Sequence, residues 1–92
     1  MNRGRLHVYF SGRVQGVGFR YTVKSLSMGY EVTGGVRNLA DGRVELVAEG
    51  DRLELESFLR GIQDSELGSL IRDQQAAWGE SEDEFRGFEI WS

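Results

Sequence analysis

At 92 residues the chain is long enough for one domain with a modest core and too short for two, so a single domain over residues 1–92 is expected. It contains no cysteine, which excludes a disulfide framework, a thiol nucleophile and a thiolate metal site. A net charge of −4 argues against the basic surface of a nucleic-acid binder, and no window approaches the roughly 18 apolar residues of a membrane span.

Residues 5–11 alternate, with Leu6, Val8 and Phe10 to one side and His7, Tyr9 and Ser11 to the other, which predicts a half-buried strand. Beyond a glycine-rich turn, Phe19, Val23 and Leu26 recur at helical spacing, and Gly29 is expected as the C-terminal cap. Residues 30–38 read as a second strand interrupted by Gly34-Gly35. Asn38-Leu39-Ala40-Asp41-Gly42 then forms a hairpin turn signalled by Asp-Gly. A third strand sets Val44, Leu46 and Ala48 on one face and ends at Gly50. Asp51 followed by Glu54 resembles a capping box for a second helix, whose apolar stripe is Leu55, Phe58, Leu59 and Ile62. Residues 63–84 carry no clear period; a strand near 70–78 and a solvated acidic loop at 79–84 are expected. Phe88 and Ile90 suggest a last strand within 85–91. The order β-α-β-β-α-β predicts a ferredoxin-like α+β sandwich, with two helices on one face of an antiparallel sheet.

The densest chemistry lies in Gly12-Arg13-Val14-Gln15-Gly16-Val17-Gly18-Phe19-Arg20. Glycines let the backbone visit positive φ and turn several N–H groups into one concavity, and the helix that follows opens with unpaired amides. Arg20, in the first helical turn, adds a planar fork of donors suited to a phosphate or carboxylate. Positive charge is gathered here, since Arg3, Arg5, Arg13, Arg20 and Lys24 all precede the first acid, Glu31. The stretch is not a Walker A loop, which ends in Gly-Lys-Ser/Thr, and Tyr21 stands where a dinucleotide fingerprint needs its third glycine. No metal site is expected: His7 is the only histidine, and Glu80-Ser81-Glu82-Asp83-Glu84 is an adjacent run rather than a spaced ligand set.

Residues 12–20 resemble the phosphate-binding loop of the acylphosphatase family. A second block agrees: Gly34-Gly35-Val36-Arg37-Asn38-Leu39-Ala40-Asp41-Gly42-Arg43-Val44, with Gly50 after five further residues. The resemblance implies hydrolysis of a carboxyl-phosphate mixed anhydride to a carboxylate and inorganic phosphate. It assigns substrate binding to Arg20 and catalysis to Asn38. The phosphoryl group would rest on Gln15, Gly16, Val17, Gly18, Phe19 and Arg20, chiefly their amides, and the Asn38 amide would orient a water. A carboxylate is a weak base and leaves unaided, so no general acid, metal or organic cofactor is implied. Two positions depart from the family: Gly35 stands where an aromatic residue is usual, and Phe10 where an aliphatic one is. Gly35 is expected to weaken packing and strand propensity.

Blander roles stand beside these. Asn38 adjoins a turn and could form an Asx turn, Gln15 could brace the loop rather than touch substrate, and Arg13 could simply be solvated. Trp78 and Trp91 are expected in the core or at its rim. A non-catalytic anion-binding module is the main alternative. Single-stranded RNA binding is disfavoured because Gly42–Glu49 lacks an aromatic pair and carries two acids. The expected partner is a small acyl phosphate, with inorganic phosphate or sulfate competing. A cytoplasmic monomer without nucleic-acid or membrane partners is expected.

Overall fold

The computed structural model describes residues 3–92. Its elements run β1 (Arg3–Gly12), α1 (Phe19–Ser27), β2 (Val32–Asn38), β3 (Val44–Asp51), α2 (Arg52–Asp64), a 3₁₀ turn (Glu66–Leu70), β4 (Ile71–Glu80) and β5 (Phe88–Ile90). The sheet order is β4-β1-β3-β2-β5. The split βαβ arrangement follows, because β3 lies between β1 and β2 and pairs antiparallel with both. One part of the expectation is corrected: β5 pairs with β2 in parallel, Gly34 to Phe88 and Val36 to Ile90, so the sheet is mixed. Among the described residues no helix is long and apolar enough to cross a membrane.

Period-two alternation puts Leu6, Val8 and Phe10 of β1 in register with Ala48, Leu46 and Val44 of β3, and all six are buried. Onto this face α1 delivers Phe19 and Val23, and α2 delivers Leu55, Phe58 and Ile62, giving one continuous core. The larger Phe10 is accommodated against Phe19, with ring centroids 5.3 Å apart. Fully burying such a side chain contributes about 1.5–3 kcal/mol.

Three local expectations change. Gly29 does not adopt a left-handed conformation; α1 ends instead on Met28, whose φ is −67°. Asp51 does cap α2, accepting from the Leu53 amide at 3.4 Å, but the reciprocal half of a capping box is not made. Glu54 turns away to accept from the Glu31 amide at 2.8 Å, tying α2 to the segment before β2. Gly35 does not leave a packing defect. A Cβ there would fall 2.1 Å from the Trp91 indole, so the indole occupies the space that a larger residue at 35 would need. Trp91 is joined to β2 by its amide, 2.8 Å from the Val36 carbonyl, and its ring lies 5.5 Å from Phe85. Trp78 sits at the rim, under the Arg52 guanidinium at 3.8 Å.

The acidic segment is exposed, yet it is fastened across the sheet face that the helices leave open. Arg5 bonds Glu49 at 2.8 Å and Glu84 at 2.6 Å, and the Glu82 amide donates to Glu49 at 2.8 Å. Further along this face Glu45 holds His7 and Arg37, each at 2.6 Å. Burial pushes both carboxyls up, but the bonds they accept outweigh it. Those bonds come from the Glu82 amide and Arg5 for Glu49, and from Arg37 and His7 for Glu45. Both therefore titrate below the usual glutamate value. A depressed carboxyl contributes stability that is complete above its unfolded pKa, about 4.3, and is lost as pH falls through its folded one. The melting midpoint should hold between about pH 7 and pH 5, then fall below about pH 4, and Glu49→Gln should flatten the fall. Circular dichroism melts at stepped pH test this; equal acid limbs in wild type and variant would contradict it.

Candidate active site

One end of the sheet gathers the residues singled out from the sequence. Phe10, Val44 and Asn38 lie in a single row across β1, β3 and β2. With strands about 4.8 Å apart, two steps bring the end of β2 to within about 10 Å of the end of β1. Phe10 and Val44 both point into the helix-covered core, and alternation from buried Val36 puts Asn38 on that same face. The loop leaving β1 runs over this end, and its exit is pinned because Phe19, the first residue of α1, is buried against Phe10.

Within the loop, Gly16 and Gly18 each have φ of +77°, whereas Val17 between them does not have a positive φ. Such alternation of handedness turns successive N–H groups toward one side, the geometry of an anion nest. A Cβ at either glycine would meet nothing within 4 Å, so the requirement for glycine is conformational rather than steric. Gly18 is also the N-cap of α1. It supplies no side-chain cap, and the first turn carries no acid. The Thr22 amide closes the first turn on the Gly18 carbonyl at 3.0 Å, and the amides before it have no intrahelical acceptor. Arg20 is half-buried in that turn, and among the described residues no carboxylate lies within ion-pair distance of it. An uncapped helix start, a left-handed glycine pair and an unpaired guanidinium concentrate positive potential at one spot.

Gln15 resolves in favour of bracing. Its Nε2 donates to the Leu39 carbonyl at 2.8 Å and to the Arg43 carbonyl at 2.9 Å. Those carbonyls also accept from Gly42 and Leu39 respectively, the bonds that close the β2–β3 hairpin. One amide therefore locks the loop to the hairpin that immediately follows Asn38. Gly16, Val17 and Gly18 are exposed, while the Phe19 side chain is committed to the core, leaving only its amide for a ligand.

Asn38 does not make the Asx turn that its position suggested. That role falls to Asp41, whose carboxylate accepts from the Arg43 amide at 3.1 Å and pairs with the Arg43 side chain at 2.8 Å. Arg43 also covers the Tyr9 ring at 4.5 Å. The Asn38 Oδ1 is buried with no hydrogen-bond partner among the described residues. An unmet buried acceptor costs about 1–3 kcal/mol.

Known proteins resemble this chain in sequence and in fold. The sequence model of the family described as Acylphosphatase matches residues 6–90. A curated acylphosphatase of Pelotomaculum thermopropionicum is 40% identical over 90 residues, covering 98% of both chains. One of Trichormus variabilis is 43% identical over 86 residues, covering 94% of this chain and 84% of that one. The crystal structure of acylphosphatase from Bacillus subtilis superposes with a TM-score of 0.88 at 34% identity, covering 97% of this chain and 99% of that one.

Proposed function

Since this chain belongs to the acylphosphatase family and hydrolyses acyl phosphates, we propose that Arg20 and the amides of residues 15–20 hold the phosphoryl group while Asn38 aims the attacking water. The observation that carries the reading is the coupling at one sheet end. The nest and the uncapped helix start are tied through Gln15 to the strand end bearing Asn38, whose Oδ1 has no partner among the described residues.

Bound there, the phosphoryl oxygens accept from the loop amides, whose conformation the glycines and Gln15 set before substrate arrives, and from the Arg20 fork. Asn38 Oδ1 accepts a hydrogen bond from the water, orienting a lone pair of the water toward phosphorus, opposite the acyl oxygen. The water oxygen bonds to phosphorus and the bond from phosphorus to the acyl oxygen breaks. The electron pair leaves on the carboxylate. The water's proton passes to a non-bridging phosphate oxygen, so no side-chain base is needed. Charge is met by protein donors throughout, and the reaction is proposed to need neither metal nor cofactor. The same reading takes residues 1–92 as one domain acting as a cytoplasmic monomer, with inorganic phosphate or sulfate competing for the cradle.

Benzoyl phosphate hydrolysis in excess chelator tests the metal-free chemistry. Undiminished turnover is expected. Loss on chelation that a divalent ion restores would overturn it.

A further inference from the structure

We propose that the groove lined by Gly12, Arg13, Ser69, Leu70, Ile71 and Arg72 is a second anion site, which takes an acidic group carried on the acyl part of the substrate. The proposal rests on the reading of residues 15–20 as the phosphate cradle, and it names the substrate class that cradle serves.

The groove is open to solvent and offers about 170 Å³ at the root of the cradle loop. Its backbone is tightly specified. The Arg13 amide donates to the Leu70 carbonyl at 3.0 Å. Gly12 has φ of +123°, and a Cβ there would fall 2.5 Å from the Leu70 carbonyl and 2.7 Å from the Arg72 amide. Only glycine lets the start of β4 approach the loop so closely. The register then slips: Ser11 pairs with Asp73 and Gly12 with Ile71, which leaves Arg72 as the extra residue of a β-bulge. Bulges re-aim a side chain out of the regular ladder, and they are over-represented beside active sites.

Charge supports the assignment. In this acidic chain Arg3, Arg5, Arg37, Arg43 and Arg52 all have carboxylate partners. Among the described residues Arg13, Arg20, Lys24, Arg60, Arg72 and Arg86 have none, and of these only Arg13 and Arg72 line the groove. Two like charges that line one groove without a counter-charge repel weakly while both are exposed, and an anion between them is favoured. The groove is also within reach of the cradle. Arg13 and Gln15 are two residues apart, at most about 7 Å along the backbone, and the arginine side chain shortens the remaining gap. A carboxylate a few atoms beyond the scissile bond can meet it with a full charge, whereas a neutral aromatic acyl group offers the arginines only its ring face.

Succinyl phosphate, which ends in a carboxylate, and benzoyl phosphate, which does not, distinguish the cases. For Arg72→Ala, kcat/KM for succinyl phosphate should fall about fivefold at low salt, in line with a solvent-exposed charge pair, and the loss should shrink as salt rises. Benzoyl phosphate should change by less than about twofold, and Arg72→Lys should retain most of the preference. Equal losses on both substrates, or no loss on succinyl phosphate, overturn the groove assignment. The cradle reading survives that result if Arg20→Ala still impairs both substrates, and an Arg20→Ala enzyme unaffected on both overturns the cradle and the groove together.

Discussion

Asn38→Ala is expected to lower kcat for benzoyl phosphate by about 10²- to 10³-fold while leaving inorganic phosphate binding within a few-fold of wild type. The estimate is the loss of one preorganised dipole aimed at the reacting group. Asn38 ends β2 on the core face, beside the loop, and its side-chain Oδ1 is buried with no hydrogen-bond partner among the described residues. Removing an unmet buried acceptor relieves a penalty of about 1–3 kcal/mol, set against the lost packing of a small side chain. The variant should therefore melt at or above the wild-type temperature while being nearly inactive. That pairing of traits separates a catalytic role from a structural one, because a residue kept for folding loses both together. Steady-state kinetics and a thermal melt on the same preparation decide it. An Asn38→Ala enzyme with normal kcat would remove the water-positioning role.

Arg20→Ala should instead act on binding. Its KM for benzoyl phosphate and its inhibition constant for inorganic phosphate should both rise about ten- to a hundredfold, the equivalent of a charge-assisted hydrogen bond of about 1.5–3 kcal/mol. Among the described residues no carboxylate pairs with Arg20, so truncation leaves no orphaned charge and the fold should be unaffected. Arg20→Lys keeps the charge and loses the planar fork, so it should recover part of the affinity. If Arg20→Ala leaves phosphate inhibition unchanged, the guanidinium is not in the cradle.

Gln15 marks the boundary between what residue identity and what packing can say. Its place in the loop marks it as near the phosphoryl group but leaves open whether it touches substrate. The two bonds to the Leu39 and Arg43 carbonyls assign its side chain to the hairpin. Asn38 shows the reverse. Beside a turn, an asparagine reads first as a turn former, and only the bonds that Asp41 makes to Arg43 free it from that role.

Local rules carried most of the architecture. Alternation in β1 and β3, helical spacing in α1 and α2, and the Asp-Gly hairpin each depend on neighbours within a few residues, so composition and order suffice to read them. The glycines of the loop belong with these, because a left-handed φ is a property of one residue. β4 and β5 do not. Residues 71–80 are mostly exposed and carry no apolar period; β4 is a strand because its backbone pairs with β1 along an edge, and that partner lies some seventy positions away. The parallel seating of β5, the Trp91 indole over Gly35, the Glu49 and Glu45 ion clusters and the bulge at Arg72 have the same origin. Each is a contact between segments distant in the chain, set by register and by space left over, and no local pattern encodes either.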